Sequence, residues 1–544
     1  NKAWNFSHHE VQIGICNAPH RHVKVRKCSQ VGLSEISVRM ALGMLAIYPG
    51  STAIYTLPTA KFAGKFTKAR INPVVESSET LRDLVPSGAD SSELKQFGNS
   101  FLYIVGTSGS SSPISIPADM LIRDEVDFSN QSLLSMFYSR LGHAEGGGWI
   151  RDFSTPTVDK YGISEDFEGT TNHRYAILHD YCHEWVRPTC TQNIVIPGYE
   201  GNLVDFDEAD LKDPRYHVDE SYLSCPSCHM PIDYNNLADP AKRQWVAENP
   251  DAEIGGYQIV PFDVPFVNPI PKTVKAVSQY ARKADWVNFE FGETYQDAEN
   301  SFLTSVVDSH TTLGWVRPGA LAASGTVLGL DIGKTSWVLI GKPYTDKRVD
   351  IIHAERIVQD DNNYLLTRVT ELLKFYGVMR AVIDAGPDFT TVLQLISKSI
   401  VNQVYGCYYV RSNRTALSNI DVKEEEQVVN ASKVGTFSHA SKQVNKGLVR
   451  WPRMAEMATI KQHLENINKI SNINSQGEKV EAWVSKGPDH YANALNYLMI
   501  AIGLCDYLNH HGVPAAPATV TSARFGKSHD DTSEHTLLKR RIHG

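Results

Sequence analysis

At 544 residues the chain is too long for a single hydrophobic core, since domains usually hold about 100–200 residues, and two main domains with additions are expected. Hydrophobic residues make up 42% and charged residues 21%, with no apolar run near the roughly 20 residues of a membrane span, so a soluble globular protein without a membrane partner is expected. Eight cysteines are too sparse for a disulfide scaffold, and a net charge of −8 neither signals nor forbids nucleic-acid binding, because a local basic groove can coexist with it.

The opening "NKAWNFSHHE" lacks the basic start and apolar stretch of a signal peptide, which points to an intracellular protein. "HVKVRK" (22–27) alternates as a strand does, and "SEISVRMALGMLAIYPG" (34–50) spaces Ile36, Met40, Met44 and Ile47 as a helix before a Pro-Gly stop. Further strand-like runs at 52–59, 100–108, 119–127 and 148–157 end in polar residues, as in an open α/β sheet that carries its chemistry at the strand ends. From 170 to 235 His, Cys and Tyr crowd together in what reads as a metal-held insertion. "VPFVNPIPK" (264–272) is too proline-rich for a central strand, and 274–295 reads as helix then loop. A second α/β region follows. Strands at 326–343, 348–358 and 379–386 alternate with a helix at 363–376 and another after 386, and a long apolar helix at 489–508 has Asp489 in the N-cap position. The last thirty residues read as a mobile tail.

"KCSQVGLSE" (27–35) sits between strand and helix where a phosphate loop belongs. A standard loop reads G-x-x-x-x-G-K-[ST]. Here Gly32 and Ser34 fit, Leu33 stands where the lysine belongs, and Lys27 occupies the first-glycine slot. Gly32 lets backbone N–H groups approach phosphate at a helix N-terminus, Ser34 suits Mg²⁺, and Lys27 can supply the missing charge from the start of the loop. About a hundred residues on, "MLIRDEVD" is an apolar strand ending in Asp124 and Glu125, a Walker B pattern with Asp124 placed for Mg²⁺ and Glu125 for polarising the attacking water. Together these motifs point to an ATPase with a RecA-like core.

The pair of motifs resembles the large terminase subunit of tailed bacteriophages, a likeness spanning most of residues 10–510. That family has a deviant Walker A motif with its lysine at the loop's start, matched by Lys27, Gln30, Gly32 and Ser34. Its Walker B motif is matched by Asp124 and Glu125, and its coupling motif resembles "STPT", Ser154 to Thr157. The resemblance implies a packaging motor whose partners are double-stranded DNA, the portal protein of the procapsid, the small terminase subunit and other copies of the chain in a homo-oligomeric ring, working in the host cytoplasm. Gln12 is a candidate for the adenine side. Arg70, Arg123 and Arg140 are candidates for the arginine that such rings supply in trans.

In the insertion, "HDYCHEW" (179–185) and "CPSC" (225–228) give four N/S ligands of a structural zinc site, assigned as His179, Cys182, Cys225 and Cys228, with His183, Cys190 and His229 as competitors. Some large terminases resemble this in carrying a zinc-bearing insertion in the ATPase domain. In the second region, Asp331 ends "VLGLD", Asp384 ends "AVID" and Asp489 opens the late helix. Hard oxygen ligands of this kind suit two Mg²⁺ or Mn²⁺ ions for phosphodiester cleavage, as in an RNase H-like nuclease. Their contexts resemble the terminase nuclease domain, and His490 is placed to orient a metal-bound water or Asp489. "LGLDIGKTS" also resembles the first phosphate motif of sugar kinases and actin-like ATPases, a reading that leaves the upstream motifs unexplained.

The expected layout is a P-loop ATPase domain at 1–255 holding a zinc-binding insertion at 170–235, a linker or lid at 256–320, an RNase H-like nuclease domain at 321–512 and a flexible tail at 513–544. The expected activity is ATP-driven DNA translocation joined to metal-dependent endonuclease cleavage. Alternatives are a translocase or helicase with a catalytically silent nuclease-like domain, and a zinc-stabilised DNA-binding scaffold.

Overall fold

A computed structural model of the chain describes residues 5–86, 91–108, 116–296, 300–313, 325–358, 362–386, 388–410, 420–473 and 479–510. The chain forms two compact units, one of residues 1–302 with 465–488, the other of 303–464 with 489–544. The expected tail at 513–544 lies outside the described residues.

In the first unit the strands run β1 His22–Lys27, β2 Thr52–Leu57, β3 Leu94–Phe97, β4 Ser100–Gly106, β5 Met120–Asp124, β6 Trp149–Ser154, β7 His173–Leu178, β8 Trp185–Val186, β9 Ile194–Val195, β10 Tyr222–Ser224, β11 Pro231–Ile232, β12 Arg243–Val246 and β13 Gly255–Ile259. Ten of them make one sheet in the order β12-β7-β13-β1-β6-β5-β2-β4-β3, with β8 beside β7, and β9 to β11 form a separate three-stranded sheet. The strands β4, β2, β5, β6, β1 and β13 are mutually parallel, so Lys27, Asp124 and Ser154 finish at one edge of the sheet. Burial of Val23, Val25, Tyr55, Ile122 and Phe153 within one apolar cluster fixes that register.

Two features differ from the layout read in the sequence. The region from 170 begins with β7, a member of the main sheet, and the segment after residue 255 supplies β13, which lies between β7 and β1. Its glycines are required by close approach: a Cβ on Gly256 would lie 1.8 Å from Thr170 Oγ1. Glycine weakens the strand pattern in sequence while permitting this contact.

A hairpin of Ile467–Ile473 and Lys479–Ser485, remote in sequence, also folds with the first unit, where Ile470 clusters with Val158 and Tyr161.

In the second unit the strands Thr326–Asp331, Thr335–Pro343, Val349–Val358, Val378–Asp384 and Val404–Tyr409 stand in the spatial order third, second, first, fourth, fifth. The second is antiparallel to both its neighbours, while the first, fourth and fifth are parallel. Short strands extend both edges. This is an RNase H-like sheet. The first strand is buried throughout, and the helix His490–His510 packs so closely on it that a Cβ on Gly329 would lie 2.0 Å from the Ala494 carbonyl oxygen. Among the described residues no helix is long and apolar enough to cross a membrane.

Candidate ATP, nuclease and metal sites

The loop after β1 turns into the helix Leu33–Ile47 through Gly32, whose φ of +75° suits glycine, and Gln30 takes φ +60° just before it. Gln12 braces the turn: its Nε2 donates to the Val31 carbonyl at 2.7 Å. That places the amide against the loop. Backbone donors of the loop are tied as well, Cys28 N–H to the Ile259 carbonyl at 3.0 Å and Ser29 N–H to that of Phe289 at 2.7 Å. Gly292 packs so tightly there that a Cβ on it would lie 2.5 Å from Cys28 N.

Lys27 is 6% exposed, and its Nζ lies 3.2 Å from Glu125 Oε1. Burial disfavours the ammonium, but the Glu125 and Asp124 carboxylates outweigh it and hold the lysine's pKa above its ordinary value. Glu125 itself is pushed up by burial, against Lys27 and with Asp124, and stands at φ +55° where β5 ends. Asp124 accepts from Tyr55 Oη at 2.7 Å and from Glu125 N–H at 3.1 Å.

Lys27, Asp124 and Glu125 are therefore gathered as the motifs require. Ser34 stands in the first turn of the following helix, on the same loop.

Sequence reasoning missed Asp127. Its carboxylate is fully buried and accepts from Thr157 N–H at 2.8 Å, Thr157 Oγ1 at 2.7 Å and Ile163 N–H at 2.8 Å, while its own N–H donates to Ser154 Oγ at 3.1 Å. It thus ties "STPT" to the end of the Walker B strand. Burial raises its pKa to about 7 against those hydrogen bonds. An acid two residues past "DE" gives no motif, so no signal in the sequence set it apart.

Of the candidate arginines, Arg123 is engaged internally, its Nε 2.6 Å from Asp152 Oδ1 and its Nη2 2.5 Å from Oδ2. Arg70 reaches Glu35 at 3.3 Å, and Arg140 donates to Ser139 Oγ at 2.8 Å.

In the insertion, one ligand atom each from His179, Cys182, Cys225 and Cys228 lies within 4.8 Å of all the others. His179 Nδ1 is 3.4 Å from Cys182 Sγ and 3.5 Å from Cys228 Sγ, and Cys182 Sγ is 3.9 Å from Cys225 Sγ. Tetrahedral ligands about 2.3 Å (S) and 2.0 Å (N) from a common zinc ion would stand roughly 3.5–3.8 Å apart, so the set fits. His179 Nε2 lies 3.1 Å from the Pro231 carbonyl, an acceptor only, which puts the ring proton on Nε2 and the lone pair of Nδ1 toward the sulfurs.

Both knuckles close alike. His183 N–H bonds the His179 carbonyl at 2.8 Å, His229 N–H bonds that of Cys225 at 2.9 Å, and both closing histidines adopt positive φ. Those two histidines are exposed and outside the set, and Cys190 bonds Glu293 through its N–H at 3.0 Å, so none of the three competitors joins it.

In the second unit, the ends of the first and fourth strands and the start of the last helix bring Asp331, Asp384 and Asp489 into electrostatic range of Asp331. Burial, with Asp384 and Asp489 adding to it, raises the Asp331 pKa against His490. His490 Nδ1 contacts Asp331 Oδ2 at 2.8 Å, so it pairs with Asp331, not Asp489, whose Oδ1 takes Asn493 Nδ2 at 3.1 Å. Trp337 stacks on His490 with centroids 5.3 Å apart. Asp384 accepts Gly386 N–H at 3.0 Å; burial raises its pKa, against that bond, Tyr497 and Lys433. Among the described residues these three aspartates do not form a group close enough to share a metal ion as the His/Cys set does.

The family model described as phage terminase large subunit gpA, ATPase domain, matches residues 9–245. No curated protein matches the chain. Among solved structures the chain is similar to the HK97 bacteriophage large terminase, at 9% identity over 93% of this chain and 95% of that one, with a TM-score of 0.47. It is similar also to the ATPase domain of the Thermus phage P74-26 large terminase, at 14% identity over 54% and 93% with a TM-score of 0.30. The large terminase nuclease of thermophilic phage G20c gives 19% identity over 36% and 95% with a TM-score of 0.25. Over residues 9–245 the chain is thus similar to the ATPase domain of the phage terminase large subunit.

Proposed function

We propose that this protein hydrolyses ATP to drive double-stranded DNA into a viral procapsid and cuts concatemeric DNA with its second unit. The observation that carries the reading is the buried Lys27 ammonium 3.2 Å from Glu125, beside Asp124, at the carboxyl edge of a parallel sheet within residues matched to a terminase ATPase domain. In this reading Lys27 and the N–H groups around Gln30 and Gly32 hold the phosphates, Ser34 and Asp124 hold Mg²⁺, and Glu125 orients and deprotonates the attacking water. Bound Mg²⁺ neutralises charge on the phosphate oxygens. Asp127 then links the strand end carrying Glu125 to Thr157 and Ile163, so that a shift at one is felt at the other.

For cleavage, Asp331, Asp384 and Asp489 supply the hard oxygen donors that two Mg²⁺ or Mn²⁺ ions take, ions that activate water and stabilise the leaving oxygen. His490 holds Asp331 in place. His179, Cys182, Cys225 and Cys228 hold a structural zinc ion that clips the two knuckles together beside an apolar cluster that includes Ile194, Phe206, Leu223 and Ile232. The partners are double-stranded DNA, the portal protein, the small terminase subunit and further copies of the chain in a ring, in the host cytoplasm. The test is ATPase and plasmid-cleavage assays of the purified protein in Mg²⁺ and Mn²⁺, beside Lys27→Ala and Asp331→Asn. The reading requires each variant to lose one activity and keep the other, and native protein without either activity would refute it.

A further inference from the structure

Tyr55 stands in the middle of β2, opposite Ile122 of the strand that ends in Asp124. Its hydroxyl lies 2.7 Å from Asp124 Oδ2 and 2.8 Å from Ser37 Oγ, and Tyr55, Asp124 and Ser37 are at most 1% exposed. Ser37 belongs to the helix that follows the phosphate loop, and its Oγ lies 3.0 Å from the Ser34 carbonyl.

Counting protons fixes the direction of this chain. The Asp124 carboxylate only accepts, so the phenol's single proton points to it. The phenol oxygen is then an acceptor toward Ser37, whose hydroxyl proton lies between Tyr55 and the Ser34 carbonyl. A phenol with an ordinary pKa of about 10 keeps that proton at neutral pH. The ring itself needs no hydroxyl to stay in place, because it packs on Phe66 with centroids 5.0 Å apart.

We infer that Tyr55 is a positioning residue for the divalent cation that accompanies ATP: with Ser37 it fixes the Asp124 carboxylate relative to Ser34. The inference rests on the reading of Asp124 and Ser34 as cation ligands. Tyr55 engages Oδ2, while Oδ1 is steadied by Glu125 N–H. A carboxylate held from behind in this way loses less rotamer freedom when it takes up a cation.

The experiment is the ADP-dependent part of Mn²⁺ binding, read by electron paramagnetic resonance as the difference with and without ADP so that ions held by the second unit cancel, on native protein, Tyr55→Phe, Ser37→Ala and Asp124→Asn, with thermal unfolding of each in parallel. Tyr55→Phe, which keeps the ring and removes one charge-assisted hydrogen bond, is expected to weaken Mn²⁺ binding about tenfold and to raise the Mg²⁺ requirement of ATP hydrolysis by a similar factor. Ser37→Ala, which loosens the phenol without removing it, should weaken binding about threefold. Unchanged Mn²⁺ affinity in Tyr55→Phe overturns the inference, whatever its unfolding temperature. If that variant fails to fold, unchanged affinity in Ser37→Ala overturns it instead. Asp124→Asn separates the two levels: native-like Mn²⁺ binding there refutes the cation-ligand reading itself, whereas loss there with none in Tyr55→Phe refutes only the role of Tyr55.

Discussion

The His/Cys set of the insertion and the three aspartates of the second unit are both donor clusters built from residues far apart in sequence, yet they are organised in opposite ways. In the first, two tight knuckles bring four ligands within 4.8 Å of one another, three of their separations being 3.4, 3.5 and 3.9 Å, near those of a tetrahedral shell. Thiols and a neutral imidazole do not repel one another. In the second, burial together with Asp384 and Asp489 raises the pKa of Asp331, and among the described residues the three carboxylates do not form a group close enough to share one ion. A closed shell suits structure, and an open, charge-frustrated one suits chemistry. The candidate ATP site is intermediate in kind, its two acids sharing the built-in cation Lys27.

The contrast breaks most visibly if metal is taken from the insertion. Structural zinc contributes on the order of 10–16 kcal/mol of binding free energy in finger peptides, nearly all of it folding energy. Cys225→Ser or Cys228→Ser should therefore lose about one zinc per chain by elemental analysis together with a cooperative unfolding step in calorimetry. A metal-free protein that keeps its full unfolding profile would erase the distinction. His179→Ala should lower zinc affinity, and undiminished zinc content would remove that residue from the set.

The next effect concerns the site that carries its own cation. Lys27→Ala leaves the buried Asp124 and the half-buried Glu125 without their counter-charge, and breaking a pair in this way costs up to about 3–5 kcal/mol. ATP turnover should vanish in the same variant. Glu125→Gln should still bind ATP but hydrolyse it at least about a hundredfold more slowly. Turnover unchanged in Lys27→Ala, measured by phosphate release, would show that the lysine serves the fold alone.

Smaller again is Asp127, a carboxylate held by neutral donors only. In Asp127→Asn one oxygen becomes an NH₂ group facing the N–H of Thr157 or Ile163, and a buried donor left unsatisfied costs about 1–3 kcal/mol. The native carboxyl has its pKa raised to about 7 from an ordinary 3.8, so its contribution is complete at low pH and is lost as pH rises toward 7. The stability difference between native and variant should accordingly narrow between about pH 4 and pH 7 in thermal unfolding and stay level above that. A constant difference would mean that Asp127 stays ionised throughout.

Legibility in the sequence followed the same physical divide. Contiguous patterns were readable: "HVKVRK" as a strand, "KCSQVGLSE" as a strand-to-helix loop and "CPSC" as a knuckle, because local periodicity and fixed spacing survive in one dimension. The His/Cys ligand set was legible as well, each half being a short motif. What escaped were partners set by tertiary pairing. Strand β13 was hidden by glycines that Thr170 requires, the hairpin at 467–485 folds with residues hundreds of positions away, and Tyr55 and Asp127 act through side chains brought to them by other strands. His490 was visible, but its partner, Asp331 and not Asp489, depended on how the last helix packs on the first strand of the second unit.

The smallest expected change, and the one that sharpens the comparison most, is Asp331→Asn. Removing a ligand from the His/Cys set subtracts stability, whereas removing a charge from three crowded carboxylates should add a little. The Asp331 pKa lies above its ordinary value because burial, Asp384 and Asp489 all disfavour its ionised form. A raised carboxyl pKa means that the native residue's contribution is present at low pH and lost as pH rises through the folded value, so the variant's advantage should grow with pH. The expected signature in metal-free buffer is a rise of roughly 1–3 °C in unfolding temperature at pH 8 and a smaller one at pH 5. An asparagine oxygen can still accept from His490 Nδ1, so that contact is retained. Plasmid cleavage in Mn²⁺ should disappear while ATP turnover persists, because Asp331 belongs to the second unit and Lys27, Asp124 and Glu125 to the first. A fall in unfolding temperature at every pH would show Asp331 to be a structural anchor of the helix start at His490, and the two donor clusters would then differ in ligand type but not in purpose.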